Sequence, residues 1–237
     1  MRERTVFALV IISLLLLAAG YIVGTQVNLL PTPASSRAVL VDGLMRFLLG
    51  IATVIFLVVE GALLFAVLRF RRRGADDSQG ASYRENTTLE LVWTLVPAII
   101  VVIIGFYSYR VLAAIERPEN DPLVVEVESS QFIWTFHYPE QQFSSSELHL
   151  PVGKPVRLEI TSKDVIHSFW VPDFRAKRDA TPGQVSELLI TPTLVGRFPI
   201  RCAELCGGGH AAMTSVVIVE SQAEFDRWIL SEAGPAQ

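Results

Sequence analysis

Apolar residues come in unbroken runs along the first half of the chain and alternate with polar ones along the second. Val6–Val23 carries no charge over 18 residues, Phe47–Leu68 carries one (Glu60) over 22, and Leu91–Tyr109 carries none over 19. A bilayer core of roughly 30 Å takes about 20 helical residues at a rise of about 1.5 Å each. The second and third runs are therefore expected to span a membrane. The first is borderline in length and reads as a retained third span. A cleaved signal peptide is the alternative, because a charged stretch precedes an apolar core, although no strong small-x-small site follows. From Leu123 onward the pattern shortens to expected strands at Leu123–Glu128, Gln131–Tyr138, Glu147–Leu150, Val156–Thr161, Glu187–Ile190, Arg197–Arg201 and Ser215–Glu220. They are rich in Val, Ile and aromatics and are set between Gly, Pro and Ser clusters. Gln222–Leu230 reads as a closing helix capped by Ser221, with Glu224 three residues on.

This pattern predicts a membrane-anchored α plus all-β chain: a transmembrane helix hairpin, preceded by a signal anchor or signal peptide, then a β-sandwich or Greek-key barrel. The expected boundaries are 1–38 for the N-terminal apolar segment and linker, 39–117 for the hairpin, 118–221 for the β domain and 222–237 for the C-terminal helix and tail.

Composition sharpens this. The 237 residues are 51% hydrophobic and 19% charged, against about 25% charged in soluble domains. Residues 1–117 hold 11 arginines, no lysine and 8 acids, a net of +3, whereas residues 118–237 hold 9 basic and 16 acidic residues, a net of −7. Arg69, Arg71, Arg72, Arg73 and Arg84 all lie between the second and third runs. That connector is thereby cytoplasmic and the β domain lies outside; Arg2 and Arg4 agree with this orientation. A pI of 5.6 argues against nucleic acid as a partner, and the acidic β domain favours a basic one. Glu60 stands inside a span, where a carboxylate is costly and commonly functional. Glu90 stands at the cytoplasmic mouth of the next, where a solvated helix-start charge is the simpler reading. Pro97 implies a kink or an early-turn position.

Both cysteines fall in one stretch, Cys202-Ala-Glu-Leu-Cys206-Gly-Gly-Gly-His210-Ala-Ala-Met213, between two expected strands. Two thiolates, an imidazole and a thioether form a soft set suited to copper, and His167 offers a second imidazole. A second Cys on the loop would let two thiolates bridge two copper ions, each with one His as terminal ligand. A Cys202–Cys206 disulfide and a Cys2His2 zinc site are the alternatives, although zinc would leave Met213 and Gly207–Gly209 unexplained. His137 and His149 read as surface histidines.

The chain resembles subunit II of the haem-copper oxygen reductases, the cytochrome c oxidase subunit that carries the binuclear copper-A centre. The likeness covers roughly residues 40–230 and rests on specific motifs. They are Cys202-x-Glu204-x-Cys206-Gly-x-x-His210-x-x-Met213, Val165-Ile-His167-Ser with Val171-Pro172, Asp179-Ala-Thr-Pro-Gly183, and Glu90-x-x-Trp93-Thr-x-x-Pro97-Ala-Ile-Ile. The resemblance implies a cupredoxin-like β domain. It implies two coppers bridged by Cys202 and Cys206, with His167 and His210 terminal, Met213 a weak ligand to one copper and the Glu204 carbonyl a ligand to the other. It also implies a magnesium ion held by the Glu204 side chain and shared with subunit I, and Glu90 at a proton-uptake entrance. The family's electron-input Trp is absent: the segment here is Gln131-Phe132-Ile133-Trp134. Trp134 and Trp170, the latter where many relatives have Ala, are the expected replacements.

The resemblance further implies a bacterial plasma-membrane protein with its copper domain periplasmic. Its partners would be subunit I, subunit III, the lipid membrane and an external donor, either a cytochrome c or a small blue-copper protein. The chain would pass electrons from the donor to haems held only by subunit I, where oxygen is reduced to water with proton pumping. No Cys-x-x-Cys-His is present for a fused cytochrome. A nitric oxide reductase subunit, or a membrane-anchored metal-binding module without a redox role, are the alternatives. Quinol-oxidase relatives lack the copper ligands, all of which this chain keeps.

Overall fold

Three long helices precede the strands in the computed structural model of the chain, which describes residues 2–27, 29–71, 85–117 and 120–232. They are α1 (Arg2–Gln26), α2 (Ser36–Phe70) and α3 (Thr87–Ile115). Among the described residues α2 and α3 are long and apolar enough to cross a membrane, and their most apolar windows are unburied by protein. Such outward apolar faces suit lipid contact. Among the described residues α1 offers a shorter apolar helix, Ile11–Gln26. Asn86 caps α3, its side-chain oxygen accepting the Leu89 N–H at 3.1 Å. Pro97 lies well past the first turn of α3, and the helix continues through it. Of the connector arginines, Arg69 lies in the last turn of α2 and Arg71 follows the helix, whereas Arg72, Arg73 and Arg84 lie outside the described residues.

The chain divides into two compact units, residues 1–28 with 43–111 and residues 29–42 with 112–237. In the helical unit α1 lies antiparallel on α2, and glycine permits the close approach. A Cβ on Gly20 would stand 2.8 Å from the Gly50 carbonyl oxygen, and one on Gly24 2.8 Å from that of Arg46. Phe47 and Tyr107 meet edge to face at 5.1 Å, joining α2 to α3.

The second unit is a sandwich of two five-stranded sheets. One sheet runs β3 (Phe143–Ser145), β2 (Ile133–Tyr138), β1 (Leu123–Ser130), β5 (Val156–Ser162), β8 (Ser186–Ile190); the other runs β4 (Leu148–Pro151), β10 (Thr214–Glu220), β9 (Gly196–Cys202), β6 (His167–Val171), β7 (Ala176–Ala180). Alternate residues of β1 and β5 (Val125, Val127, Leu158, Ile160) turn inward against Phe136, Phe169, Ile200 and Val217, all fully buried. Every expected strand is present, and three further ones, β3, β6 and β7, join them. The Tyr138 hydroxyl donates to the His149 carbonyl at 2.9 Å and accepts the His149 N–H at 2.8 Å. Burial pushes the Tyr138 phenol far up. His149, expected at the surface, is buried: Nδ1 lies 2.9 Å from Glu220, and the ring stacks on Trp228 at 3.8 Å. The cause is α4 (Gln222–Glu232), which brings Trp228 over it. The start of α4 has the expected reciprocal cap, Ser221 Oγ accepting the Glu224 N–H while the Glu224 carboxylate accepts from the Ser221 N–H and hydroxyl.

Residues 29–42, the link after α1 together with the first turns of α2, belong to the β unit. Ala34 N–H donates to Asp173 O and Ser36 N–H to Thr191 O, each at 3.0 Å. Arg175 grips Asp42 with two hydrogen bonds, 2.7 and 2.9 Å, and both side chains are more than nine-tenths buried.

Candidate metal centre

The ligand loop is the connection between β9 and β10. Cys202 is the last residue of β9, Met213 immediately precedes β10, and a single 3-10 turn, His210–Ala212, lies between. The Cys202 N–H donates to the Met213 carbonyl at 3.1 Å, which closes the loop at its base. Strand β6 lies beside β9 with Phe169 opposite Cys202, so His167 enters from the neighbouring strand with its ring fully buried.

These elements bring the donors together. The two sulfurs stand 3.8 Å apart as free, buried thiols. His167 Nδ1 is 3.9 Å from Cys202 Sγ, His210 Nδ1 is 3.6 Å from Cys206 Sγ, and Met213 Sδ is 3.8 Å from Cys206 Sγ. The Glu204 carbonyl oxygen lies 3.3 Å from Cys202 Sγ, while its side chain is exposed. The ligand atoms of His167, Cys202 and Cys206 all lie within 4.8 Å of one another. One imidazole faces each sulfur, and a fully buried thioether sits beside the second. That donor set fits soft copper; a structural zinc site would leave Met213 without a part. Burial, and the neighbouring Cys202 thiol, push the Cys206 thiol up to about 11, so a metal bound there must displace its proton.

Residues not singled out in the sequence hold the ligands in place. The Asp164 carboxylate accepts His167 Nε2–H at 2.9 Å, which leaves Nδ1 free on the side of the thiols. The same carboxylate accepts the N–H groups of Val165 and Gln131 at 2.7 Å each. Partial burial opposes its charge, but the bonds from His167, Gln131 and Val165 outweigh that and hold Asp164 down at about 2. Gln131 in turn donates its side-chain amide to the Cys206 carbonyl at 2.6 Å, tying the two ligand segments together. The Phe132 ring lies against the glycine run: a Cβ on Gly209 would stand 2.4 Å from it, and Gly207 adopts φ +132° beside it. The glycines thus make room for an aromatic side chain over the ligand loop. Asp164 is three residues before His167 and Gln131-Phe132 precedes Trp134, yet only the strand pairing shows that they meet.

The remaining residues singled out in the sequence lie as follows. Trp134 is buried, 3% exposed, with its ring edge-on to His167 at 6.2 Å between centroids. Trp170 is on the outer face of β6 at 36% exposure, with Arg201 and Lys177 as its cross-strand neighbours. Glu90 is exposed in the first turn of α3, and Glu60 is half-buried on α2. Neither belongs to the metal centre.

Removing the Asp164 carboxylate frees the His167 ring to turn. Asp164→Ala is expected to weaken copper binding about 10- to 100-fold, read by competition with a chelator of known affinity. Unchanged affinity would show that His167 needs no orienting partner.

The model of the transmembrane domain of cytochrome c oxidase subunit II matches residues 23–111, and that of its periplasmic domain matches residues 140–221. Cytochrome c oxidase subunit 2 of Thermostichus vulcanus is 38% identical over 87% of this chain and 79% of its own length. The Synechocystis protein of the same name is 33% identical over 89% and 77%. Among solved structures, the periplasmic domain of subunit II of cytochrome oxidase from Bradyrhizobium japonicum is 31% identical, with a TM-score of 0.46, over 48% of this chain and 95% of that one.

Proposed function

The chain belongs to the cytochrome c oxidase subunit II family, so it is a membrane-anchored subunit of an oxidoreductase complex with a periplasmic domain, and we propose that it is the electron-input subunit, taking electrons from a soluble donor at a binuclear copper site. The observation that carries this reading is the convergence of two thiols, two imidazole nitrogens, one thioether and one carbonyl on the β9–β10 loop and the start of β6. Copper bound there supplies a one-electron couple spread over two ions.

The protein's own part is to hold the ligands still. Cys202 and Cys206 lie close enough that both would serve a shared copper pair, and His167, His210, Met213 and the Glu204 carbonyl would supply the remaining donors. Asp164 and Gln131 fix His167 and the Cys206 segment, so little has to move when the charge changes. Trp170, exposed on the strand that carries His167, is the proposed contact with the donor. Its neighbours Arg201 and Lys177 favour an acidic group on the donor there, although the domain as a whole is acidic. Buried Trp134 packs edge-on against His167 and Phe169 of that strand. From the site, electrons pass to haems of subunit I for the reduction of oxygen coupled to proton pumping. Glu90 is the proposed entrance of a proton path, and the exposed Glu204 carboxylate a magnesium ligand at the subunit I face. Metal analysis of a Glu204→Gln oxidase reads that last role directly.

The assembled oxidase tests the proposal. With His210→Ala, oxidation of the reduced soluble donor is expected to stop, while a small-molecule reductant still reduces the haems. Donor oxidation at the parent rate would overturn the reading. In the same assay Trp170→Phe should slow donor oxidation and change its salt dependence, and unchanged values would remove Trp170 as the contact. Glu90→Gln should slow turnover with the first electron transfer intact, and parent turnover would remove the proton role.

A further inference from the structure

A cavity of about 470 Å³ lies in the helical unit along the groove between α1 and α2, within the size range of small-molecule sites, roughly 300–1,000 Å³. Its lining is graded. Arg46 and Thr25 stand at one end, level with Gly24; Tyr21 follows near the middle, and Leu17, Val54 and Ile55 lie toward the other end, beside Gly20. From Arg46 to Ile55 the groove follows α2 for about 13 Å. The close approach at Gly20, Gly24 and Gly50 forms its floor.

The polar end faces the periplasmic side. The first turns of α2, up to Asp42, belong to the β unit, and Arg46 immediately precedes the run Phe47–Leu68, which carries no charge but Glu60. Arg46 therefore stands where outer-leaflet phosphates lie. Its side chain is exposed and makes no hydrogen bond or ion pair with any described residue. A guanidinium with five donors matches a phosphate oxygen pair, and an unpaired one at an apolar groove calls for a monoanionic group rather than one that brings its own ammonium.

We propose that this groove is a binding site for one anionic phospholipid, its phosphate on Arg46 and the upper part of an acyl chain between Leu17, Val54 and Ile55. The site requires α1 to be retained in the mature chain. It is independent of the metal centre, which lies in the other unit.

The test is made on the assembled oxidase, purified in detergent, exchanged into phosphatidylglycerol or into phosphatidylcholine, and then delipidated stepwise while bound lipid is counted by mass spectrometry. The parent complex is expected to keep one phosphatidylglycerol per chain after the bulk lipid has gone, and to keep no phosphatidylcholine in its place. Arg46→Gln should hold that lipid about tenfold more weakly. Ile55→Trp, which fills the apolar end and leaves the arginine, should lose it as well, with copper content unchanged in both variants. Equal retention of phosphatidylcholine, retention unaffected by either substitution, no retained lipid because another subunit fills the groove, or a mature N-terminus lacking α1 would each overturn the proposal.

Discussion

Cys206→Ser is expected to leave at most one copper ion per chain, where the parent is proposed to hold two, and to abolish oxidation of the soluble donor, with the fold retained. The serine hydroxyl is nearly the size of the thiol but is not a soft ligand, and at neutral pH it keeps its proton. Cys206 stands 3.8 Å from Cys202, 3.6 Å from His210 Nδ1 and 3.8 Å from Met213 Sδ, so it is the sulfur on which the second half of the donor set converges. Without it, His210 and Met213 have no shared partner, and one ion is left to Cys202 and His167. Copper analysis and donor kinetics on the variant check this. A variant that keeps two coppers and donor oxidation would show that Cys206 is not a bridge. Met213 is fully buried, and a thioether is a weaker donor than a thiolate, so Met213→Leu is expected to keep both metals and shift their potential.

The second large effect lies away from the metal. Asp42→Ala is expected to destabilise the β unit by about 3–5 kcal/mol, because it leaves Arg175 charged, buried and without its carboxylate. The guanidinium also donates to the Pro172 and Pro31 carbonyls, at 2.8 and 2.6 Å, so it cannot swing out without giving those up. Replacing both members, Asp42→Leu with Arg175→Met, should recover part of the loss, since the buried charge is gone while the two carbonyls remain unpaired. Urea unfolding followed by tryptophan fluorescence reads all three proteins. An Asp42→Ala protein within about 0.5 kcal/mol of the parent would mean that the start of α2 is not part of the folded β unit.

The ligand loop was legible in the sequence because its chemistry is local. Two cysteines, a histidine and a methionine lie within twelve residues, and no other cysteine competes with them. The apolar runs and the alternating strands were legible for a related reason, since each reports one element's own periodicity. What escaped depends on contacts between distant elements. Asp42 and Arg175 are 133 residues apart, and neither position carries any local sign of the other. Strand β7, Ala-Lys-Arg-Asp-Ala, is polar at its centre because it is an edge strand exposed on three successive residues, so its sequence lacks an alternating signal. β6 was masked by its own content: His167, Ser168 and Phe169 are all buried, which breaks the alternation a half-buried strand shows. His149 read as a surface residue because the helix that covers it arrives more than seventy residues later. Phe132 was noticed as a replaced Trp, but its packing on Gly207 and Gly209 follows only from the sheet placing β2 beside the loop.

The central claim is that this donor set holds two coppers sharing one electron. The most direct measurement is the copper content of the full-length chain together with the EPR spectrum of its mixed-valence form. Two coppers per chain, with hyperfine splitting from two equivalent nuclei, is the predicted result. One copper with single-nucleus splitting, or zinc held in preference to copper, would contradict it and would leave the chain without an electron-input site.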